Sequence, residues 1–283
     1  MEFWYSDKHT KEVQLSMKIK HQIVSHESDF QQIDILETYE YGKVLVLDGE
    51  LMITEKDEFI YHEMISHVSM AVHPHVENVL VIGGGDGGTV RELAKYKTIH
   101  HIDLVEVDED LVNLCKKHFP TTALMMEDER VYIYHEEGLR FVRSRQEEYD
   151  LIIVDCADPF GPAEGLFTRE FYGNCYKALR KDGILINQHE SPFYSEHSQT
   201  VQKAHKHITA VFPLSTVYQC HIPSYPSGHW LFGFASKHYD PIRDLNAEKW
   251  NALEIPTHYY NTDLHKGSFY LPNYVKELLG TNE

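Results

Sequence analysis

The stretch Val79-Leu-Val-Ile-Gly83-Gly-Gly85-Asp86-Gly87-Gly88 decides the fold. It reads as an apolar strand that runs into a G-x-G-x-x-G loop and then into a helix, a context that raises the motif above chance. Glycines at these positions allow a tight turn and let the backbone approach a nucleoside. An acidic residue, Glu106, follows about 20 residues later, where a contact to a ribose hydroxyl is expected.

Strands and helices alternate along the chain after this loop. The pattern predicts strands at 101–107, 131–135, 149–154 and 184–187, and helices at 91–96, 110–119, 138–145 and 168–180. Such alternation is typical of a mostly parallel, doubly wound α/β sheet. Two further strands, near 215–222 and 230–235, are joined by a short connection, which predicts an antiparallel hairpin at one sheet edge.

The N-terminal part of the chain has a different pattern. Residues 11–54 read as β-structure, and Asp48-Gly49 lies between two apolar runs, which is a strong hairpin signal. Helical periodicity begins after Asp57. We therefore predict a small antiparallel β domain at 1–56 and a Rossmann-like, methyltransferase-like catalytic domain with a C-terminal extension at 57–283.

The chain is strongly acidic. Of its 283 residues, 26 are Lys or Arg and 44 are Asp or Glu, which gives a formal charge of −18. A nucleic-acid partner would need a basic surface, so this class is disfavoured, whereas a cationic ligand would be attracted. Solubility alone would also explain the charge. No stretch is long and apolar enough to span a membrane, and no C-x-x-C pair occurs, so we expect a cytoplasmic protein with reduced thiols.

Asp86 decides which nucleoside ligand the glycine loop would take. In a dinucleotide enzyme a pyrophosphate lies against this helix N-terminus, and a carboxylate inside the loop would repel it. A ligand with a nucleoside and a positive centre, such as S-adenosylmethionine or a relative, suits Asp86 better. The alternative is that Asp86 caps the helix that follows, and the two roles are compatible.

A second acidic loop follows the strand at 149–154. Asp155 and Asp158 end this strand and should face the same crevice as Asp86 and Glu106, since ligands of open α/β sheets bind beyond the carboxyl ends of the strands. Four carboxylates that converge there would repel one another without a metal ion or an organic cation.

A metal is the weaker interpretation of this acidic crevice. The segment His62-Glu63-x-x-x-His67 resembles a zinc-binding helix but has one residue too many, so the two imidazoles do not share one helix face. We therefore expect no metal.

An amine is the stronger interpretation. A primary amine has a pKa near 10.4, so it arrives as an ammonium and must lose a proton before it attacks. Asp155 is the candidate base, with Asp158 holding the amine. Tyr61 and Tyr225 could add hydroxyl contacts or aromatic faces to the cation.

The chain resembles the spermidine synthases of bacterial type over nearly its whole length. Five motifs in the right order carry the resemblance: Leu45-Val-Leu-Asp48-Gly49, Glu55-Lys-Asp-Glu58-Phe-Ile-Tyr61-His62-Glu63-Met64, Val81-Ile-Gly-Gly-Gly-Asp86-Gly-Gly, Asp155-x-x-Asp158-Pro-x-Gly161-Pro162-Ala163-Glu164-x-Leu-Phe167 and Tyr225-Pro226-Ser227-Gly228. The resemblance implies transfer of the aminopropyl group of decarboxylated S-adenosylmethionine to putrescine. The products would be spermidine and 5′-methylthioadenosine, and the assembly a homodimer or homotetramer.

The resemblance also implies roles for individual residues. Asp155 would deprotonate the attacking amine, assisted by Tyr61 and Asp158, and Asp86 would bind the aminopropyl amine. The diamine would be held by His62, Asp86, Asp155, Asp158, Gln188 and Tyr225. The nucleoside co-substrate would be bound by Gln31, Gly83, Gly85, Asp86, Glu106, Glu137 and Asp155, with Pro162 and Ala163 in a loop that closes over the adenosine.

Two departures from the family pattern bear on activity. Glu136-Glu137-Gly138 stands where the family has an aspartate before the glycine, and Cys156-Ala157 replaces the usual hydroxyl residues. Other acceptors (cadaverine, agmatine or spermidine), a small-molecule methyltransferase and a catalytically silent polyamine-binding relative remain as alternatives.

Overall fold

The computed structural model describes residues 1–156 and 165–281. The N-terminal part is one antiparallel sheet of five strands in chain order. These strands are β1 Phe3–Lys8, β2 Gln14–Glu27, β3 Gln32–Thr38, β4 Lys43–Leu47 and β5 Glu50–Thr54. Asp48 and Gly49 both have positive φ, 50° and 90°, so the predicted Asp-Gly hairpin joins β4 to β5.

A second sheet has seven strands. They are β6 Asn78–Gly83, β7 His101–Val105, β8 Val131–Tyr134, β9 Tyr149–Asp155, β10 Leu179–Glu190, β11 Leu214–His221 and β12 His229–Ser236. Their order is β11-β12-β10-β9-β6-β7-β8. The pairs among β6 to β10 are parallel, while β12 is antiparallel to both β10 and β11. The predicted doubly wound sheet with an antiparallel edge hairpin is confirmed.

Helices cover both faces of the second sheet and extend the chain beyond it. They are α1 Glu58–Met70, α2 Gly88–Ala94, α3 Glu109–His118, α4 Pro120–Ala123, α5 Gly138–Arg143, α6 Arg169–Ala178, α7 Ser195–Thr209, α8 Ala247–Asn251, α9 Thr262–Ser268 and α10 Asn273–Leu279. None of the helices in the described part of the chain combines the length and the apolar character needed to cross a bilayer.

Several elements differ from the sequence-based expectation: the pattern does not predict α4 or α7 to α10, α2 begins at Gly88 instead of residue 91, and β10 begins at Leu179 instead of residue 184. Two of the differences follow from sheet pairing. The first strand, β1, precedes the predicted start of the β region at residue 11 and pairs with β2 along its whole length. Helix α6 ends at Ala178, before the predicted end at Arg180, because the fully buried Leu179 already pairs with Tyr149 of β9. Sheet pairing of an apolar residue outweighs the helical pattern here.

The sheet order creates a topological switch point between β6 and β9. From β6 the chain proceeds outward through β7 and β8, whereas β9 leads to β10 on the other side. Gly83 at the end of β6 lies directly beside Asp155 at the end of β9. Ligands of doubly wound sheets bind at this crevice, so the glycine loop and the acidic loop face one site. The division into domains at residue 56 stays a prediction.

Gly88, the first residue of α2, packs against α1 and provides a test of this packing. A Cβ at this position would lie 2.2 Å from Cε1 of His62, whereas a Cβ on Gly173 inside α6 would meet nothing within 4 Å. We expect Gly88→Ala to lower the free energy of unfolding by about 1–3 kcal/mol through overpacking. Gly173→Ala should raise it by about 0.5–1 kcal/mol. Urea unfolding of both variants measures the difference, and equal stabilities would contradict it.

Candidate active site

A cavity of about 1300 Å³ lies at the switch point and reaches the N-terminal sheet. Its walls come from the glycine loop, the end of β9, helix α1 and the β4–β5 hairpin. Carboxylates dominate its charged lining: Asp7, Asp48, Glu50, Asp86, Glu106, Glu136, Glu137, Asp155 and Glu190. Lys8 and Lys11 are the lysines among its described lining residues. The cavity therefore suits a cationic ligand.

The glycines of the loop let it lie directly against Asp155. Gly83 has a φ of 81°, and a Cβ there would be 2.0 Å from the backbone oxygen of Asp155. A Cβ on Gly84 would be 2.9 Å from Oδ2 of the same residue. Only glycine combines the positive φ with this close approach.

Asp155 is a buried carboxylate, 8% exposed, that is held at both oxygens. The hydroxyl of Tyr61 donates to Oδ1 at 2.7 Å, and that of Thr89 donates to Oδ2 at 2.6 Å. Burial and the neighbouring charge of Asp86 raise the pKa of Asp155 above its ordinary value. Burial and Asp155 likewise raise the pKa of Tyr61, so its hydroxyl stays a donor at neutral pH. Asp155 is thus a fixed carboxylate with an increased affinity for a proton.

Asp86 lies one residue before Gly87, the N-cap of α2, and contacts both the start of this helix and the cavity. Its Oδ1 accepts from the backbone N–H of Gly88 at 2.7 Å, in the first turn of α2, and the side chain also lines the cavity. Burial alone would raise the pKa of Asp86, but the adjacent His62 lowers it. Asp86 is therefore held as an anion beside Asp155.

His62 is the positive charge that the acidic cluster requires. It is fully buried, with Nδ1 2.5 Å from Oε2 of Glu58 and Nε2 3.2 Å from Oδ1 of Asp86. Burial alone would lower the pKa of His62, but Asp86 and Glu58 raise it to about 10. Arg91 of α2 in turn donates to both oxygens of Glu58, at 2.7 and 2.9 Å.

The predicted nucleoside side of the cavity contains a buried carboxyl. Glu106 is 8% exposed, accepts from the N–H of Asp108 at 3.1 Å, and has a pKa raised to about 7 by burial. Gln31 donates to Asp108 at 2.9 Å and lines the same wall. Glu137 precedes α5 and is exposed, without a side-chain hydrogen bond to the helix start, so it is free to reach a ligand.

Gln188 and Tyr225 lie in the cavity wall but already have backbone partners. The Gln188 amide donates to the carbonyl of Cys156 and accepts from the N–H of Glu190, both at 3.1 Å. The Tyr225 hydroxyl donates to the carbonyl of Met52, and its ring centroid lies 6.0 Å from that of Tyr61. Both residues shape the wall, and Tyr225 presents an aromatic face.

Three of the predicted site residues, Asp158, Pro162 and Ala163, lie outside the described residues. Cys156 lacks the hydroxyl that the family usually has after this aspartate. Both oxygens of Asp155 nevertheless accept hydrogen bonds from hydroxyls, one on α1 and one on α2. Burial and Asp155 raise the pKa of the Cys156 thiol, so it stays protonated.

The two histidines and the glutamate of the His62-Glu63-x-x-x-His67 segment each contact different residues. Glu63 accepts three backbone N–H groups, from His258, Tyr259 and Tyr260, at 2.7–2.8 Å. His67 contacts Glu92 at 2.9 Å and not the partners of His62, although Arg91 joins Glu92 to Glu58.

Sequence reasoning missed Glu58 and Thr89. Glu58 precedes His62 by four residues on a helix, and this spacing is a signal that would have paired them. Thr89 carries no comparable signal, because its contact with Asp155 depends on how α2 meets β9.

Comparisons with known proteins agree with this fold. Residues 58–246 match the family model "Spermine/spermidine synthase domain", and residues 3–55 match "Spermidine synthase tetramerisation domain". The chain is 76% identical to the polyamine aminopropyltransferase of Lachnoclostridium phytofermentans and 62% identical to that of Alkaliphilus oremlandii, with both chains fully covered in each case.

Solved structures of spermidine synthases are similar to this chain over nearly its whole length. A spermidine synthase in complex with the transition-state analogue AdoDATO superposes with a TM-score of 0.96 at 43% identity, covering 98% of this chain and 95% of that one. Spermidine synthase from Thermotoga maritima gives a TM-score of 0.94, also at 43% identity, with 98% and 94% coverage. The chain belongs to the spermidine synthase family, the polyamine aminopropyltransferases.

Proposed function

We propose that this protein is a spermidine synthase. It transfers the aminopropyl group of decarboxylated S-adenosylmethionine to putrescine and releases spermidine and 5′-methylthioadenosine. The observation that carries the proposal is Asp155, a buried carboxylate fixed at both oxygens inside an acidic cavity and with a raised pKa. The likeness of the whole chain to a spermidine synthase with a bound transition-state analogue supports the same reaction.

The charges of the cavity favour these two substrates. Decarboxylated S-adenosylmethionine carries a sulfonium and an ammonium, and putrescine carries two ammonium groups at neutral pH. Asp86 and Asp155 attract such cations, whereas they would repel the carboxylate of intact S-adenosylmethionine. The site therefore disfavours a methyltransferase.

The reaction requires one proton transfer and one displacement at carbon. The putrescine nitrogen gives up a proton to Asp155, and its lone pair then attacks the propyl carbon bound to sulfur. The carbon–sulfur bond breaks, and its electron pair returns to sulfur, which leaves a neutral thioether. Tyr61 and Thr89 hold the Asp155 carboxylate in line for the proton. The position of the nucleophile selects the propyl carbon over the methyl group.

We propose roles for the remaining predicted residues. Glu106 is the ribose ligand, with Gln31, Gly83, Gly85 and Glu137 along the nucleoside path. Asp86 binds the aminopropyl amine. The proposed diamine contacts are His62, Gln188 and Tyr225. Asp158 as a second amine ligand, and Pro162 and Ala163 as a cover over adenosine, complete the proposal.

We further propose a homodimer or homotetramer. The match of residues 3–55 to a tetramerisation domain supports assembly through the N-terminal sheet. Two aromatic side chains of β1, Phe3 and Trp4, are more than half exposed, at 57% and 55%. Apolar surface of this kind is typical of an interface.

An acceptor panel tests the proposed function. We expect the highest kcat/KM with putrescine among cadaverine, agmatine, spermidine and putrescine, with 5′-methylthioadenosine formed in equal amount to the new amine. Chromatography of both products measures this. A better acceptor elsewhere in the panel would reassign the substrate. Release of no methylthioadenosine with any amine would overturn the aminopropyl transfer.

Asp155→Asn tests the base. The amide is nearly isosteric and its oxygen can still accept from one of the two hydroxyls, but its NH2 group only donates and the side chain cannot accept the proton. We expect turnover to fall by about 10²–10⁴-fold, the usual contribution of a general base. Binding of methylthioadenosine, measured by calorimetry, should be retained.

Asp48→Asn is the matched control for this variant. Asp48 also lines the cavity, and asparagine tolerates its positive φ of 50°. This variant should keep most of its turnover. An Asp155→Asn enzyme that turns over as fast as Asp48→Asn would remove Asp155 as the base.

The pH dependence reports the same carboxyl. Asp155 must be ionised to accept the proton, and its pKa is raised above the ordinary 3.8. Activity is therefore lost as the pH falls through this raised value. We expect the acid limb of kcat/KM to lie above the ordinary carboxyl value and to disappear in the residual activity of Asp155→Asn. A wild-type limb near the ordinary carboxyl value would contradict the raised pKa.

A further inference from the structure

We propose that Glu58 and Arg91 are positioning residues of the active site, which hold His62 as a fixed cation between Glu58 and Asp86. In this arrangement His62 keeps Asp86 and Asp155 ionised before any substrate arrives. The effect on turnover rests on the proposed function, whereas the charge of His62 can be measured independently of it.

A carboxylate lies beside each nitrogen of the His62 ring, which favours a proton on both. Nδ1 faces Glu58 at 2.5 Å and Nε2 faces Asp86 at 3.2 Å. An ionised carboxylate only accepts hydrogen bonds, so a neutral imidazole would leave one unprotonated nitrogen close to an anion. With the ring wholly buried, no solvent relieves that repulsion.

The ring is also fixed in place. It lies four residues from Glu58 on α1, above Gly88 of α2, where even one methyl group would collide with it. The neighbouring Tyr61 ring meets it edge-on, with centroids 5.4 Å apart. His62 therefore cannot turn away from its two carboxylates without a shift of the helices.

Arg91 keeps the Glu58 carboxylate ionised and oriented. Its two terminal nitrogens bind the two oxygens of Glu58, and its Nε binds Glu92 at 2.9 Å. Burial alone would raise the pKa of Glu58, but His62 and Arg91 lower it to about 2. A bidentate guanidinium contact of this kind fixes a carboxylate more firmly than a single hydrogen bond does.

The contact of His62 with Asp86 differs in kind from its contact with Glu58. Nε2 has no aligned hydrogen-bond acceptor, although it lies only 3.2 Å from Asp86. The link is thus a charge interaction, and the Asp86 side chain is not saturated by it. Asp86 remains available to an incoming ammonium.

Every charged group around His62 contributes to this balance. Glu58 lies on its own helix, Asp86 follows β6, Asp155 ends β9, and Arg91 stands behind Glu58 on α2. Two buried carboxylates without a cation share a proton, which would leave either the base or the amine ligand neutral. Before substrate binds, the imidazolium of His62 supplies positive charge beside Asp86 and Asp155. The substrate ammonium adds its positive charge when it binds.

The experiment follows the protonation of His62 directly. NMR titration of the imidazole resonances gives its pKa, with the His62 signal assigned by its absence in His62→Gln. We expect wild-type His62 to stay protonated up to about pH 10. In Glu58→Gln its pKa should fall by roughly one unit or more, the size expected when a contacting charge is removed.

Glu92→Gln is the matched control. Glu92 is a buried carboxylate that also pairs with a histidine of α1, His67, and with Arg91, but it does not touch His62. This variant should lose stability, while the pKa of His62 should change much less than in Glu58→Gln, because Glu58 and its two hydrogen bonds from Arg91 remain. A His62 pKa that falls equally in both variants would show only a general loosening and would overturn the proposal.

Kinetics provide the second measurement. The imidazolium is lost as the pH rises through the pKa of His62, so the alkaline limb of kcat/KM should move to lower pH in Glu58→Gln. When the pKa of His62 falls by one unit, the fraction of protonated His62 falls by up to about tenfold at pH values above the pKa. Glu92→Gln should leave this limb in place. An unmoved limb in Glu58→Gln, together with a lowered His62 pKa, would contradict the catalytic part of the inference.

The experiment also covers a variant that does not fold and a wild-type protein that shows no turnover. Should Glu58→Gln fail to fold, Glu58→Asp retracts the carboxylate by one methylene while keeping its charge, and a smaller fall of the His62 pKa is then expected. Should the wild-type protein fail to turn over any acceptor, the proposed function fails, and the NMR titration still decides whether Glu58 holds the charge of His62. A wild-type His62 that titrates near 6.5 would overturn the inference outright.

Discussion

The active site depends on one physical constraint, which is that a buried carboxylate, Asp155, and a mostly buried one, Asp86, lie close together at the carboxyl ends of the central strands β9 and β6. Such a pair is unstable in a dry pocket unless its charge is compensated and its oxygens have donors. The protein meets the constraint with an imidazolium from α1, hydroxyls from Tyr61 and Thr89, and a backbone N–H at the start of α2. The resulting raised proton affinity of Asp155 is the property that amine chemistry needs.

The supporting groups come from two packed helices, and this makes the site rigid. Helix α1 provides Tyr61 and His62 from adjacent positions, and α2 provides Thr89 and Arg91. The two helices approach closely at Gly88, which leaves room for the imidazole ring. A base held by helices is placed more accurately than one that depends on a surface loop, so the described part of the site is already organised without substrate.

The N-terminal sheet contributes to the walls of the site. The β4–β5 hairpin lines the cavity, and the carbonyl of Met52 accepts the hydrogen bond from Tyr225. Acidic side chains from this sheet, such as Asp7 and Glu50, extend the negative charge beyond the switch point. A long acidic cavity fits the size and charge of a sulfonium nucleoside together with a polyamine.

The sequence by itself determined the family, the glycine loop, the switch point and the identities of Asp86 and Asp155, because these features depend on local spacing and on the fixed rule that parallel strands end at one edge. The tertiary structure decided the rest. The first strand and the early end of α6 depend on sheet pairing, and the donors to Asp155 are brought together from residues 61, 89 and 155 only by packing. The charge of His62 likewise depends on carboxylates from two separate elements and on burial of the ring. A sequence pattern does not predict either of these.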